Sequence, residues 1–195
     1  VNRRAKVKRK TLETSIKVEI DLDGAGNSNI LTPVGFFNHM LQSLTRHSGM
    51  DLKLEAKGDV EVDFHHLVED AGIAIGEAVK KALGDKRGIA RFGEATVPMD
   101  EALVQVVLDL SGRDTLSFSV SFPAYKVGEF DTELVKEFFQ GLVRGAALTL
   151  HIRLLESGNT HHVIEAIFKA CGLALRRATR LAEEGGSVPS TKGML

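Results

Sequence analysis

Tryptophan is absent from this 195-residue chain, and tyrosine and cysteine occur once each. With so few large aromatic rings there is little to stack on nucleic-acid bases. A formal net charge of -1 supplies no global basic field, so no nucleic-acid partner is expected. Cys171 has no second cysteine to pair with, which fits a reducing cytoplasm. In the apolar stretch 167–173 it reads as a small core hydrophobe. No apolar run approaches membrane-spanning length, and the first residues lack the charged-then-apolar layout of a signal peptide. No membrane partner is expected, and the expected location is cytoplasmic. The one basic cluster, Arg3, Arg4, Lys6, Lys8, Arg9 and Lys10, reads as a solvated edge strand protected by its charge.

Hydrophobic residues make up 43% of the chain, enough for one sizeable core or two small ones sharing an interface. Ile16, Val18, Ile20 and Leu22 alternate with Lys17, Glu19 and Asp21, a period of two that predicts a strand over 15–22 beside another over 5–12. A short strand is expected near Ile30-Leu31, and another over 50–56. Pro33 and Gly35 introduce a helix over 35–47, and a longer apolar-periodic run predicts one over 65–83, ending at Gly84. In the second half, strands are expected over 96–99, 102–110, 115–122 and 148–154. Asp131 is expected to cap a helix reaching about Ala147. A last helix is expected to reach about Ala182 and to stop at 183–186.

The halves resemble each other. Asp21-Leu22-Asp23-Gly24 lies over Asp109-Leu110-Ser111-Gly112, which places Glu13 over Glu101. His39-Met40-Leu41-Gln42 lies over Glu137-Phe138-Phe139-Gln140, and 50–54 over 148–152. Two copies of about ninety residues are too few and too long for a solenoid. The expected fold is α+β: a duplicated β/α unit, two sheets with two helices each, and the helices packed between the sheets. The repeats are placed at 1–92 and 93–185, with a tail at 186–195, all within one compact domain.

The chemistry-bearing signal is a five-residue pattern that occurs twice, His65-His66-Leu67-Val68-Glu69 and His161-His162-Val163-Ile164-Glu165. Imidazoles and a carboxylate on one helical turn suit a borderline divalent ion such as Mn, Fe or Zn. The repeat adds His39 and Glu137, giving eight candidate ligands: His39, His65, His66, Glu69, Glu137, His161, His162 and Glu165. Adjacent residues on a helix point about 100° apart. Each histidine of a pair is therefore expected to serve a different ion, at sites between the halves or between subunits. Arg91, Arg113 and the tail residues Ser190 and Lys192 each suit a phosphate oxygen, against the more usual reading of surface arginines and a mobile terminus.

Together Phe36-Phe37-Asn38-His39-Met40-Leu41, the doubled histidine motif with Asp63 and Asn159 ahead of its copies, Met99-Asp100-Glu101-Ala102, Asp109-Leu110-Ser111-Gly112-Arg113 and the ending Val188-Pro189-Ser190-Thr191-Lys192-Gly193 resemble the imidazoleglycerol-phosphate dehydratase family of histidine biosynthesis. The resemblance runs from about Ala5 to Leu195. It implies a hollow homo-oligomer of 24 subunits with two manganese ions per active site, held by residues of more than one subunit. It also implies dehydration of D-erythro-imidazoleglycerol phosphate to imidazole-acetol phosphate through a metal-bound imidazolate and a diazafulvene-like intermediate. By motif, His39, His65, His66, Glu69, His161, His162 and Glu165 carry over as ligands, and Glu13 as the acid/base. Glu69 and Glu165 are counted with Glu13 among the catalytic residues. His47, Arg91, Arg113, Lys169, Ser190 and Lys192 carry over as substrate and phosphate contacts. Two departures stand out. Glu137 replaces a common histidine, and Phe64 replaces a polar residue, which predicts one lost hydrogen bond behind the first histidine pair. A dinuclear phosphate-ester hydrolase is the competing enzyme reading. A metal-storage shell is the non-enzyme one, disfavoured because a ferritin-like bundle needs four long helices and the order Glu-x-x-His.

Overall fold

The computed structural model describes residues 3–181 and 186–195. The first half runs β1 (Arg4–Lys10), β2 (Thr14–Asp21), β3 (Ser28–Leu31), α1 (Gly35–Ser48), β4 (Asp51–Gly58) and α2 (His65–Leu83). The second runs β5 (Phe92–Met99), β6 (Ala102–Asp109), β7 (Thr115–Ser119), β8 (Lys126–Val127), β9 (Phe130–Asp131), α3 (Leu134–Ala146), β10 (Thr149–Glu156) and α4 (Thr160–Thr179). The first sheet is ordered β1-β2-β4-β3 and the second β5-β6-β10-β7. In each, only the last pair is parallel. The two halves thus share one topology, the duplicated α+β architecture expected from the sequence.

Period-two patterning buries Ile16, Val18 and Ile20 on one face of β2 and leaves Lys17 on the other. Helix α2 packs on the first sheet and α4 on the second, while α2 meets α3 and α1 meets α4 between the sheets. The α2–α3 contact is unusually close. A β-carbon added at Gly72 would lie 2.3 Å from Phe138 O, and one at Gly141 would lie 2.4 Å from Glu69 O. Phe37, Phe138, Phe139 and Phe168 fill the space between the helix pairs, and Cys171 is buried with them as expected.

Several local expectations are corrected. Asp131 does not cap α3. It belongs to β9 and pairs with Lys126 at 3.3 Å, and Glu133 takes the cap position. The hairpin β8–β9 captures Asp131 because Thr132 Oγ1 donates to the carbonyls of Ala124 and Tyr125. Strand β7 stops at Ser119, where its pairing with Arg153 ends, rather than at Phe122. Helix α4 ends at Thr179, with extended backbone at Arg180, because the carbonyls of Ala178 and Arg180 accept from Arg91 N and Ala90 N. The expected end near Ala182, most of the stop at 183–186 and the repeat boundary at 185 lie outside the described residues. Strand β1 is an edge strand, but Arg3 is buried on Asp23 and the Thr179 carbonyl, and Arg9 binds Asp70 at 2.8 Å. Only part of the basic cluster is therefore a solvated face. No helix among the described residues is long and apolar enough to cross a membrane.

Candidate active site

Both histidine pairs open a long helix. Asn159 caps α4 by accepting from His161 N at 2.9 Å, and Asp63 accepts from His65 N at 2.7 Å in the matching place ahead of α2. The rings of each pair stand nearly perpendicular, with interplanar angles of 89° for His65 and His66 and 77° for His161 and His162.

Among the described residues, two groups of three donor atoms converge within 4.8 Å, namely His39, His161 and Glu165, and Asp100, Glu101 and His162. In the first group, Glu165 Oε2 lies 3.2 Å from His161 Nε2 and 3.7 Å from His39 Nε2. Helix α1 supplies His39, which is half exposed. Phe36 stands edge-on to His161 at 5.2 Å. Burial raises the Glu165 carboxyl, but Lys169, whose Nζ sits at 2.9 Å, together with His39 and His161, outweighs it and holds the group below its ordinary value. Two imidazoles and an ionised carboxylate are the donor set a borderline divalent ion takes, so these residues fit such a metal.

The first motif is less assembled. His65 Nε2 lies 4.0 Å from Glu69, whose carboxylate also accepts from Arg144 at 3.2 Å. Glu137 is half-buried in the first turn of α3 and does not join a converging donor group among the described residues. His66 Nδ1 meets Asp59 at 3.0 Å, and its Nε2 lies 3.8 Å from Glu13. Asp59 raises the pKa of His66, as a carboxylate beside an imidazole should. Phe64 therefore leaves His66 with an orienting partner. It packs against the core instead and lines a groove with Phe36 and Phe130. Glu13 is carried by a turn that Thr11 Oγ1 fixes, accepting from Glu13 N and Thr14 N.

The candidate phosphate residues form a separate group. Arg91 Nε and Nη2 donate to Asp109 at 2.8 and 3.1 Å, and Nη1 donates to Pro189 O at 2.8 Å. Arg113 Nη2 lies 3.9 Å from the same aspartate. The tail passes over this group, with Ser190 and Lys192 in a turn beside Pro189. Arg91 adjoins the C-terminal end of α4, whereas His161 is at its N-terminal end. Twenty helical residues span about 30 Å. One chain therefore keeps its phosphate-type residues and its metal-type residues at opposite ends. His47, bonded to Ser43 O at 2.8 Å near the end of α1, also stands apart from His39. Lys169 alone of the six candidate substrate contacts joins a histidine group, touching Met99 Sδ as well as Glu165.

Sequence reasoning passed over Asp59, Glu101 and Asp109 as functional residues. The available signals were the acidic turn before the first motif, the repeat partner of Glu13, and the acidic residue that opens Asp109-Leu110-Ser111-Gly112-Arg113.

Comparison with known proteins converges on one family. The family model described as imidazoleglycerol-phosphate dehydratase matches residues 32–175. The imidazoleglycerol-phosphate dehydratase of Desulforamulus reducens is 53% identical over 195 residues, covering 100% of both chains. That of Methylobacillus flagellatus is 56% identical over 194 residues, covering 99% of this chain and 98% of the relative. The crystal structure of the Staphylococcus aureus enzyme aligns with a TM-score of 0.83 at 47% identity, over 91% of this chain and 99% of that one. The Pyrococcus furiosus structure aligns with a TM-score of 0.84 at 40% identity, over 97% and 100%. Its sequence and its fold agree that the chain belongs to the imidazoleglycerol-phosphate dehydratase family.

Proposed function

We propose that the protein dehydrates D-erythro-imidazoleglycerol phosphate to imidazole-acetol phosphate in histidine biosynthesis, as a metal-dependent hydro-lyase. The observation that carries this reading is the convergence of His39, His161 and Glu165 in a chain of this family. His39, His161 and Glu165 would hold one divalent ion. The first pair would divide its histidines between that ion and a second one, to which Glu69 and His162 would contribute, with Glu137 as an additional carboxylate. Manganese is the proposed metal, two ions per active site. Such an ion supplies Lewis acidity that stabilises negative charge on the imidazole ring.

The remaining work falls to the chain's own side chains. Glu13 takes the carbon-bound proton once the neighbouring hydroxyl has left, so that one proton and one hydroxide depart as water and the resulting enol relaxes to the ketone. Its exposed carboxylate beside His66 supports that role. Lys169 keeps Glu165 ionised and so ligand-competent. Arg91, Arg113, Ser190 and Lys192 bind the phosphate, with Asp109 orienting both arginines. Separation of the phosphate and histidine groups along α4 favours a complete site built where copies of the chain meet, in keeping with a 24-subunit assembly.

The test is metal removal. Treatment with a strong chelator should abolish turnover and reduce particle size in light scattering, and manganese should restore both. Full turnover in a thoroughly stripped sample would overturn the metal reading. Phosphate release from the substrate would favour a hydrolase instead.

A further inference from the structure

The second histidine of each motif spends its inner ring nitrogen on a carboxylate. His66 Nδ1 lies 3.0 Å from Asp59, and His162 Nδ1 lies 3.1 Å from Glu101. Those carboxylates come from unrelated places. Asp59 follows β4, seven residues ahead of its histidine. Glu101 lies in the β5–β6 turn, where the first-half counterpart is Glu13. Glu13, however, faces the other nitrogen of its histidine, with Oε1 at 3.8 Å from His66 Nε2. One repeat position therefore has opposite relations to the ring in the two halves.

The surroundings explain the difference. Glu101 is held in place, because its Oε1 accepts from Asn159 N and its carboxyl lies at about 2, chiefly through that bond. Gly158 makes the room, since a β-carbon there would lie 2.3 Å from Glu101 Oε1. The matching first-half residue is Val62, which has a side chain where Gly158 has none. Among the described residues the Glu13 carboxylate makes no hydrogen bond. Donating Nδ1–H to a carboxylate fixes an imidazole's tautomer and leaves the Nε2 lone pair for a metal.

We propose that Asp59 and Glu101 are the positioning residues that present Nε2 of His66 and His162 to the metal, and that Asp59's presence in the first half leaves Glu13 free as the acid/base. This rests on the metal reading above.

The test is manganese affinity, measured by calorimetry and by electron paramagnetic resonance on the assembled protein. Asp59→Ala should weaken binding about 10- to 100-fold. Asp100 Oδ2 lies 3.8 Å from His162 Nδ1 and could replace Glu101. The second-half variant is therefore the double substitution Asp100→Ala with Glu101→Ala, for which a similar loss is expected. Asp59→Asn and Glu101→Gln keep an acceptor and should recover most of the affinity. Gly158→Ala, which displaces the Glu101 carboxylate without removing it, should weaken binding and alter the manganese spectrum. Glu13→Gln should leave affinity within about threefold of wild type. Unchanged affinity in the alanine variants, or an equal loss in Glu13→Gln, would overturn the inference while leaving the metal reading intact. A wild-type protein that takes up no manganese would overturn both.

Discussion

Arg91 grips Asp109 through two parallel hydrogen bonds, at 2.8 and 3.1 Å, and holds the tail by donating its remaining nitrogen to Pro189 O. Arg91 also sits at φ 71°, a left-handed conformation uncommon outside glycine. Neighbouring bonds hold it there: Arg91 N donates to Ala178 O, and Arg91 O accepts from Leu110 N. The pairing raises the guanidinium pKa, chiefly through the Asp109 hydrogen bond, so the fork stays charged. Asp109→Asn loosens that fork. The expected result is a KM for the phosphate substrate raised about tenfold, equivalent to about 1.4 kcal/mol. The kcat should change by less than about threefold, and limited proteolysis should cut the tail faster. A collapse of kcat at unchanged KM would remove Asp109 from phosphate recognition.

Glu13→Gln keeps the shape of the side chain and removes its basicity. The substrate should still bind, while kcat falls by about two to four orders of magnitude, the range attributed to a positioned general base. Steady-state kinetics and a substrate-binding isotherm check the two halves of this statement. Near-normal kcat would exclude Glu13 from the proton transfer.

Gly72→Ala should be strongly destabilising. Its β-carbon would stand 2.3 Å from Phe138 O and 3.0 Å from Leu142 N, backbone atoms that move only if α2 and α3 separate. A loss of about 1–3 kcal/mol or more is expected, as for an overpacked core. Gly35→Ala is the control, because nothing lies within 4 Å of that β-carbon. It should be neutral or stabilising by about 0.4–1 kcal/mol through the unfolded state. Urea midpoints for the two variants should move in clearly different ways.

Asp51 gives the protein an acid-sensitive bond set. Its Oδ1 accepts from Ala25 N at 2.9 Å and Asn27 N at 2.8 Å, and these bonds, that from Asn27 foremost, hold the carboxyl below its ordinary value. In the unfolded chain an aspartate titrates near about pH 3.9. The unfolded state therefore takes up a proton first as pH falls, and the stabilisation is present above that point and lost as pH drops through the lower native value. Asp51→Asn retains an acceptor without the charge. Its unfolding free energy should fall less steeply than the wild type's between about pH 5 and pH 2, as followed by chemical denaturation.

Much of this molecule can be read from local pattern. Alternation in Ile16, Val18 and Ile20 determined β2, and the run from His65 determined α2 to its last residue, because burial of one face sets a period that sequence displays directly. The membership of His161 and His162 in different donor groups likewise follows from helical geometry. Other features depended on contacts that no periodic pattern displays. Asp131 looks like a helix cap, but the Thr132 hydroxyl and Lys126 draw it into a hairpin. Arg3 and Arg4 look alike in the chain, yet only Arg3 meets Asp23 and the end of α4. The acidic turn before the first motif does not name His66 as the partner of Asp59, nor does the run from Asp109 to Arg113 name Arg91 as the partner of Asp109. Sequence determined the duplicated fold and the histidines, whose signals are periodic and local. Tertiary structure decided which carboxylate meets which ring, because Glu101 and Glu165 reach His162 and His39 from separate elements, and Asp59 reaches His66 only through the path of the turn between β4 and α2.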